Sequence, residues 1–400
     1  MRHIQQYDKE KITTTNRVFG LDILRACAIL FVVIGHGTFL YPTTIPQIIP
    51  KLISHIFGYD GVSIFFVLSG FLIGGILINT FEKKKGEKKV LLNFWIRRWF
   101  RTLPPYLLIL TILLVLNFIF TEGFHFSKKF PLIFFTFTQN LYYKHPDFFS
   151  EAWSLSVEEW FYLLIPTIIL TYIFLKQSVK KSVLYTALSI LIFITLYRFY
   201  RYSNIPAEVL SNFTVDEWDL RFRKQVITRL DSLTYGVIGS FCQYYFSVYW
   251  LKYKKVLLSL GLFLFLSTKY LINPSTGSLY SCVFSFSVTS LATLLLLPFL
   301  SDFRIKSNGL IYKSITKISL ISYSMYLINL SIVQLWIIDK IPLQDITILS
   351  KFHLMNEAQY GLYFLYLFLT VSLSMIMYQY FEIPFMNLRD NETVKRWLRV

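Results

Sequence analysis

The sequence predicts an all-α fold, a bundle of about ten helices that cross a membrane. Three observations carry this. Of the 400 residues, 54% are hydrophobic and only 16% charged, which leaves a soluble domain too little polar surface. The apolar residues gather into stretches long enough to cross about 30 Å of hydrocarbon as helices of roughly 20 residues. The basic residues fall mainly on one side of those stretches. In chain order the expected spans are 21–40, 61–79, 104–120, 154–175, 183–199, 230–249, 256–272, 280–300, 318–338 and 360–381. Residues 131–143 are apolar but too short to span, and read as an interfacial or re-entrant piece.

A net charge of +17 would suggest nucleic acid in a soluble protein. Here most of the Lys and Arg lie on the loops that are cytoplasmic if the N-terminus is inside, so both termini are expected in the cytoplasm and the excess charge serves topology and anionic lipid. No nucleic-acid partner is expected. Cys27, Cys242 and Cys282 lie within spans, without the spacing of a disulfide framework or a metal site. No cleavable signal precedes the first span. The chain reads as one membrane domain over 1–400, with its core at about 17–387 and no appended soluble domain.

Arg25 and His36 share the first span, and ionisable groups inside a membrane point to function by default. Eleven residues correspond to ~16 Å of rise and leave the two side chains about 20° apart around the helix. A long reactive molecule held at one end by Arg25 can therefore reach His36 with the other. Asp22 can pair with Arg25 at i, i+3; the competing interpretation is a structural ion pair and a histidine satisfied by a neighbouring helix. Arg98 and Arg101 share a face if their stretch is helical, and paired guanidiniums suit phosphate, although basic anchors beside interfacial tryptophans look the same. Glu158 and Glu159 enter the fourth span at a depth similar to His36. One can polarise the imidazole while the other contacts an acceptor or holds a helix. Arg229 and Asp231 fit an acceptor vestibule or a structural pair. Gly70 and Gly74 have the spacing of close helix approach.

Several stretches together resemble acyltransferase family 3, the membrane O-acyltransferases: the first span, Phe65-Phe66-Val67-Leu68-Ser69-Gly70-Phe71, the run from Arg97 to Pro104, and Trp153 to Glu159. Thr228 to Gly236, Ile321 to Leu327 and Tyr380 to Phe385 agree with later spans of that family. The resemblance implies a bacterial inner-membrane enzyme. It would move an acyl group, commonly acetyl, from cytoplasmic acyl-CoA, most simply acetyl-CoA, to a hydroxyl of an extracytoplasmic glycan or lipid-linked glycan. By that likeness His36 is catalytic, Arg25, Arg98 and Arg101 contact the CoA phosphates, and Glu158 belongs to the active site. Many members carry His in the ninth span where this chain has Asn329, so no second histidine role carries over.

Thioester chemistry needs a base or a nucleophile, and donors for the oxyanion. His36 fits either role and the base is favoured; Ser69 and Asn329 are the polar groups available as donors. Glu159, Arg229, Asp231 and Trp153 are the acceptor-side candidates. Trp153, Tyr200, Tyr202 and Trp218 suit sugar stacking, or an interfacial belt. The alternative function is a polytopic transporter or flippase for a glycolipid or small anion.

Overall fold

The computed structural model describes residues 17–40, 48–83, 88–121, 130–305, 309–341, 355–389 and 391. Ten long helices stand where the ten spans were expected: α1 (Phe19–Gly37), α2 (Gly61–Lys83), α3 (Lys88–Phe120), α4 (Ala152–Phe174), α5 (Val179–Ser203), α6 (Leu230–Tyr245), α7 (Lys254–Leu271), α8 (Ser285–Leu300), α9 (Leu310–Ile328) and α10 (Met355–Met377). By length and hydropathy, 8 candidate spans qualify among the described residues. The segments built on α6 and α7 fall outside that set, α6 being only 16 residues long and α7 carrying Lys254, Lys255 and Lys269.

Local chemistry sets the ends. Asp60 caps α2, accepting from the Ser63 backbone N–H at 3.1 Å and the Ser63 hydroxyl at 2.5 Å. The expected span at 104–120 begins far earlier, at Lys88, because the arginine-rich stretch before Pro104 is itself helical. Residues 131–143 do not span: a single short helix, Phe130–Phe135, is followed by turns. Two amides tuck this segment into the bundle. Gln139 donates to Ser156 Oγ at 2.6 Å, and Asn140 donates to the carbonyls of Trp153 at 3.0 Å and Lys224 at 2.7 Å.

Helices α2 and α6 make the most intimate pair, and α1 lies between α2 and α9. The glycine spacing explains the first contact. A Cβ on Gly70 would stand 1.8 Å from the Leu233 carbonyl oxygen, so only glycine lets the two backbones come this close. The main core joins α1, α2, α3, α4, α6 and α9 through residues such as Ile29, Phe66, Leu110, Phe161, Leu233 and Leu327. Helix α9 does not end cleanly: it runs into a wide π turn over Asn329–Ile338, and such breaks free backbone groups and recur at functional positions.

Candidate active site

At one end of α1 a buried carboxylate, Asp22, gathers several donors. Arg17 donates to it through Nη2 at 2.5 Å and Nε at 3.0 Å, and Ser319 Oγ at 2.7 Å. Arg25 Nη1 stands 3.8 Å from the same carboxylate and 3.4 Å from Ser319 Oγ. The expected Asp22–Arg25 pair is present, but Arg17 holds the closer place. Much of the Arg25 charge is therefore left for something else.

Helix α3 supplies two more guanidiniums. Arg98 and Arg101 lie one turn apart on it, and together with Arg25 they line one cavity of about 100 Å³. Neither Arg98 nor Arg101 forms an ion pair among the described residues. Arg98 instead lies 5.9 Å from the centroid of the Tyr162 ring. Ser69, Ser154, Glu158, Tyr323 and Tyr326 line the same cavity.

The adjacent glutamates face different neighbours, as neighbours on a helix must. Glu158 lines the cavity and accepts from Tyr162 Oη at 2.7 Å and Ser69 Oγ at 3.2 Å. Glu159 accepts from Thr102 Oγ1 at 2.8 Å and so ties α4 to α3. Ser69, considered as an oxyanion donor, keeps its place on the cavity wall with its hydroxyl directed at Glu158.

His36 sits in the last turn of α1, half-buried, and is not among the residues lining the cavity. Its Nδ1 is 2.7 Å from Asn329 Oδ1. The partner that orients the imidazole is thus Asn329, not Glu158. Asn329 is no oxyanion donor in this arrangement, because its amide nitrogen donates to the carbonyls of Met325 at 2.9 Å and Tyr326 at 2.7 Å. Tyr326, which lines the cavity, is three residues before Asn329, about one helical turn. The cavity lining thus includes a residue one turn of α9 from the group that holds His36.

The acceptor-side candidates divide. Arg229 and Asp231 are both fully buried and do not line the cavity. They pair with other partners: Arg229 with Asp60 at 3.5 Å and Ser63 Oγ at 2.6 Å, Asp231 with Arg198, while Ser287 Oγ donates to Asp231 at 3.0 Å. This is the structural ion-pair alternative, built as a lattice of two acids and two arginines across α2, α5 and α6. Trp153 is buried too, edge-on to Phe66 at 5.9 Å with the Arg223 guanidinium 5.3 Å from its ring centroid. Trp218 is buried and donates to the Ser281 carbonyl at 2.8 Å, whereas Tyr200 is exposed.

Residues 215–229, on the His36 side, hold groups that the sequence did not single out. Asp219 pairs with Arg223 and, at 2.7 Å, with Lys224, and all three are within electrostatic reach of His36. Burial alone would raise the Asp219 carboxyl, but Arg223 and Lys224 outweigh it and hold it down at about 2. Burial pushes the nearby His145 down to about 3, helped by Lys224. Glu151 was also missed. Its carboxylate accepts from the backbone N–H groups of Leu330 at 3.0 Å and Ser331 at 2.7 Å, and from the Ser331 hydroxyl, filling the donors freed by the π turn. Among the described residues no group of His, Cys, Asp and Glu is placed to hold a metal ion.

A family model described as an acyltransferase domain matches residues 18–379. An O-acetyltransferase OatA of Staphylococcus aureus (strain NCTC 8325) is 26% identical over 393 residues, covering 94% of this chain and 58% of the relative. A putative O-acetyltransferase of S. aureus (strain COL) is 25% identical, covering 92% of this chain and 57% of its own. A peptidoglycan O-acetyltransferase OatA of Listeria monocytogenes is 30% identical over 166 residues, 38% of this chain and 24% of the relative. The chain thus spans under two thirds of the length of these relatives. No solved structure matches it.

Proposed function

The chain belongs to the acyltransferase family whose model covers it from residue 18 to 379, and from that premise we propose that it is a bacterial membrane O-acetyltransferase. The donor is acetyl-CoA, taken from the cytoplasm at the Arg25 end, and the acceptor is a hydroxyl of a cell-wall glycan, reached at the His36 end. The names of the relatives support acetyl and peptidoglycan. The observation that carries the proposal is the convergence of Arg25, Arg98 and Arg101, from two helices, on one cavity whose lining includes Tyr326, one turn from the Asn329 that holds His36.

Each part has a physical role. Arginine forks bind phosphate oxygens in pairs of charge-assisted hydrogen bonds, and three of them on a cavity lined by one carboxyl, Glu158, with Asp22 already engaged by Arg17, favour an anionic donor. The rise of ~16 Å from Arg25 to His36 is comparable to an extended pantetheine arm, so the nucleotide stays at the arginines while the thioester reaches the other end. His36 takes the proton from the acceptor hydroxyl as its oxygen attacks the thioester carbon. The C–S bond breaks, the acyl group stays on the oxygen, and the proton passes to the departing thiolate. Glu158, between the two ends, lines the path of the arm.

The test uses the full chain in lipid nanodiscs with acetyl-CoA and a soluble muropeptide, following free thiol and the mass of the sugar. Wild type should release CoA and add an acetyl increment, and His36→Gln should lose about 10²–10⁴-fold in rate, the usual worth of a positioned base. Undiminished transfer by His36→Gln overturns the assignment.

A further inference from the structure

We propose that Asn329 is the positioning residue of the transfer reaction, fixing His36 in the tautomer that carries its proton on Nδ1 and presents the Nε2 lone pair to the acceptor hydroxyl. The inference rests on His36 being the base, and it names the atom that does the work and the group that selects it.

The amide of Asn329 has an unambiguous orientation. Its nitrogen faces two carbonyl oxygens, Met325 at 2.9 Å and Tyr326 at 2.7 Å, and an oxygen placed there would meet acceptors only. The Asn329 oxygen therefore faces His36, and at 2.7 Å from an acceptor the ring nitrogen Nδ1 must be the donor. A neutral imidazole has one N–H, so its lone pair then lies on Nε2. Tyr366 packs beside this pair, donating to the Val33 carbonyl at 3.0 Å with its hydroxyl 3.4 Å from the same Asn329 oxygen.

Backbone irregularity supplies the rigidity. Asn329 is the first residue of the π turn, and Glu151 pins the next two residues through their N–H groups. The amide nitrogen of Asn329 is thus held by main-chain carbonyls that cannot rotate away, which fixes where its oxygen points. An amide has a further consequence that a carboxylate or a second imidazole lacks: it accepts from His36 but cannot take up its proton. Asn329 orients the ring without relaying charge, and one imidazole titrates alone as the base.

The experiment measures ¹⁵N shifts of histidine-labelled full chain in nanodiscs, with His36→Gln identifying the resonances, alongside acetyl-CoA turnover with a muropeptide. Wild type should show His36 protonated at Nδ1. Asn329→Leu should give a mixed or Nε2-protonated ring and a kcat lower by about 10–100-fold, as for lost orienting partners elsewhere, with the KM for acetyl-CoA unchanged. Asn329→Asp keeps an acceptor. It should keep the wild-type tautomer and move the base limb of the kcat profile to higher pH, since the added negative charge favours the imidazolium. An unchanged tautomer in Asn329→Leu overturns the inference, whether or not kcat falls, and so does an unchanged kcat. If His36→Gln still transfers, the functional assignment fails instead, so the two failures are distinguishable.

Discussion

Two clusters of arginine lie inside this bundle, and they differ in how their charge is matched. Arg198 and Arg229 are fully buried, and each faces an aspartate: Asp231 for the first, Asp60 for the second. Arg25 shares its carboxylate, Asp22, with Arg17, whereas Arg98 and Arg101 form no ion pair among the described residues, and all three of Arg25, Arg98 and Arg101 border one cavity. Desolvated charge persists only when matched. The first cluster is matched from within the chain, and on the function proposed above the second is matched by the phosphates of the donor.

The largest effect should come from breaking the closed cluster. Asp231→Ala leaves Arg198 buried without its partner, which costs about 3–5 kcal/mol, and should appear as a lower melting temperature or poor recovery from the membrane. Removing charge from the open cluster should act differently. Arg98→Ala with Arg101→Ala should keep the melting temperature and raise the KM for acetyl-CoA by about tenfold or more, the worth of one or two charge-assisted bonds. A donor cut back to acetyl-pantetheine, which lacks the nucleotide phosphates, sharpens this: wild type and the double variant should then use it equally. The smallest effect belongs to the partly buried set at Asp219. Its carboxyl is held at about 2, below its ordinary 3.8, by Arg223 and Lys224 against the cost of burial. Its stabilisation is therefore complete above the ordinary value and lost as pH falls through about 2. The melting difference between wild type and Asp219→Asn should be constant near neutral pH and shrink below about pH 4.

The same contrast shows what the sequence could convey. Ten helices were legible because apolar runs of spanning length leave few alternatives. The early start of α3 was not, because hydropathy is blind to an arginine-rich helix. The shared face of Arg98 and Arg101 follows from spacing alone, and the cavity bears out that geometry. Pairings between distant residues were another matter. Asp231 looks like a partner for Arg229 two positions away, yet it bonds Arg198, and His36 finds its orienting group 293 positions on. Such choices depend on which helices pack together, a property of the whole bundle and not of any one stretch.

The most direct test of the account is equilibrium binding of CoA to the full chain in nanodiscs, compared across wild type, His36→Gln and the Arg98→Ala, Arg101→Ala double variant. The account predicts that His36→Gln binds CoA as wild type does while its transfer rate falls by about 10²–10⁴-fold, and that the double variant loses binding by about tenfold or more. Wild-type CoA affinity in the double variant, or lost affinity in His36→Gln, would contradict it.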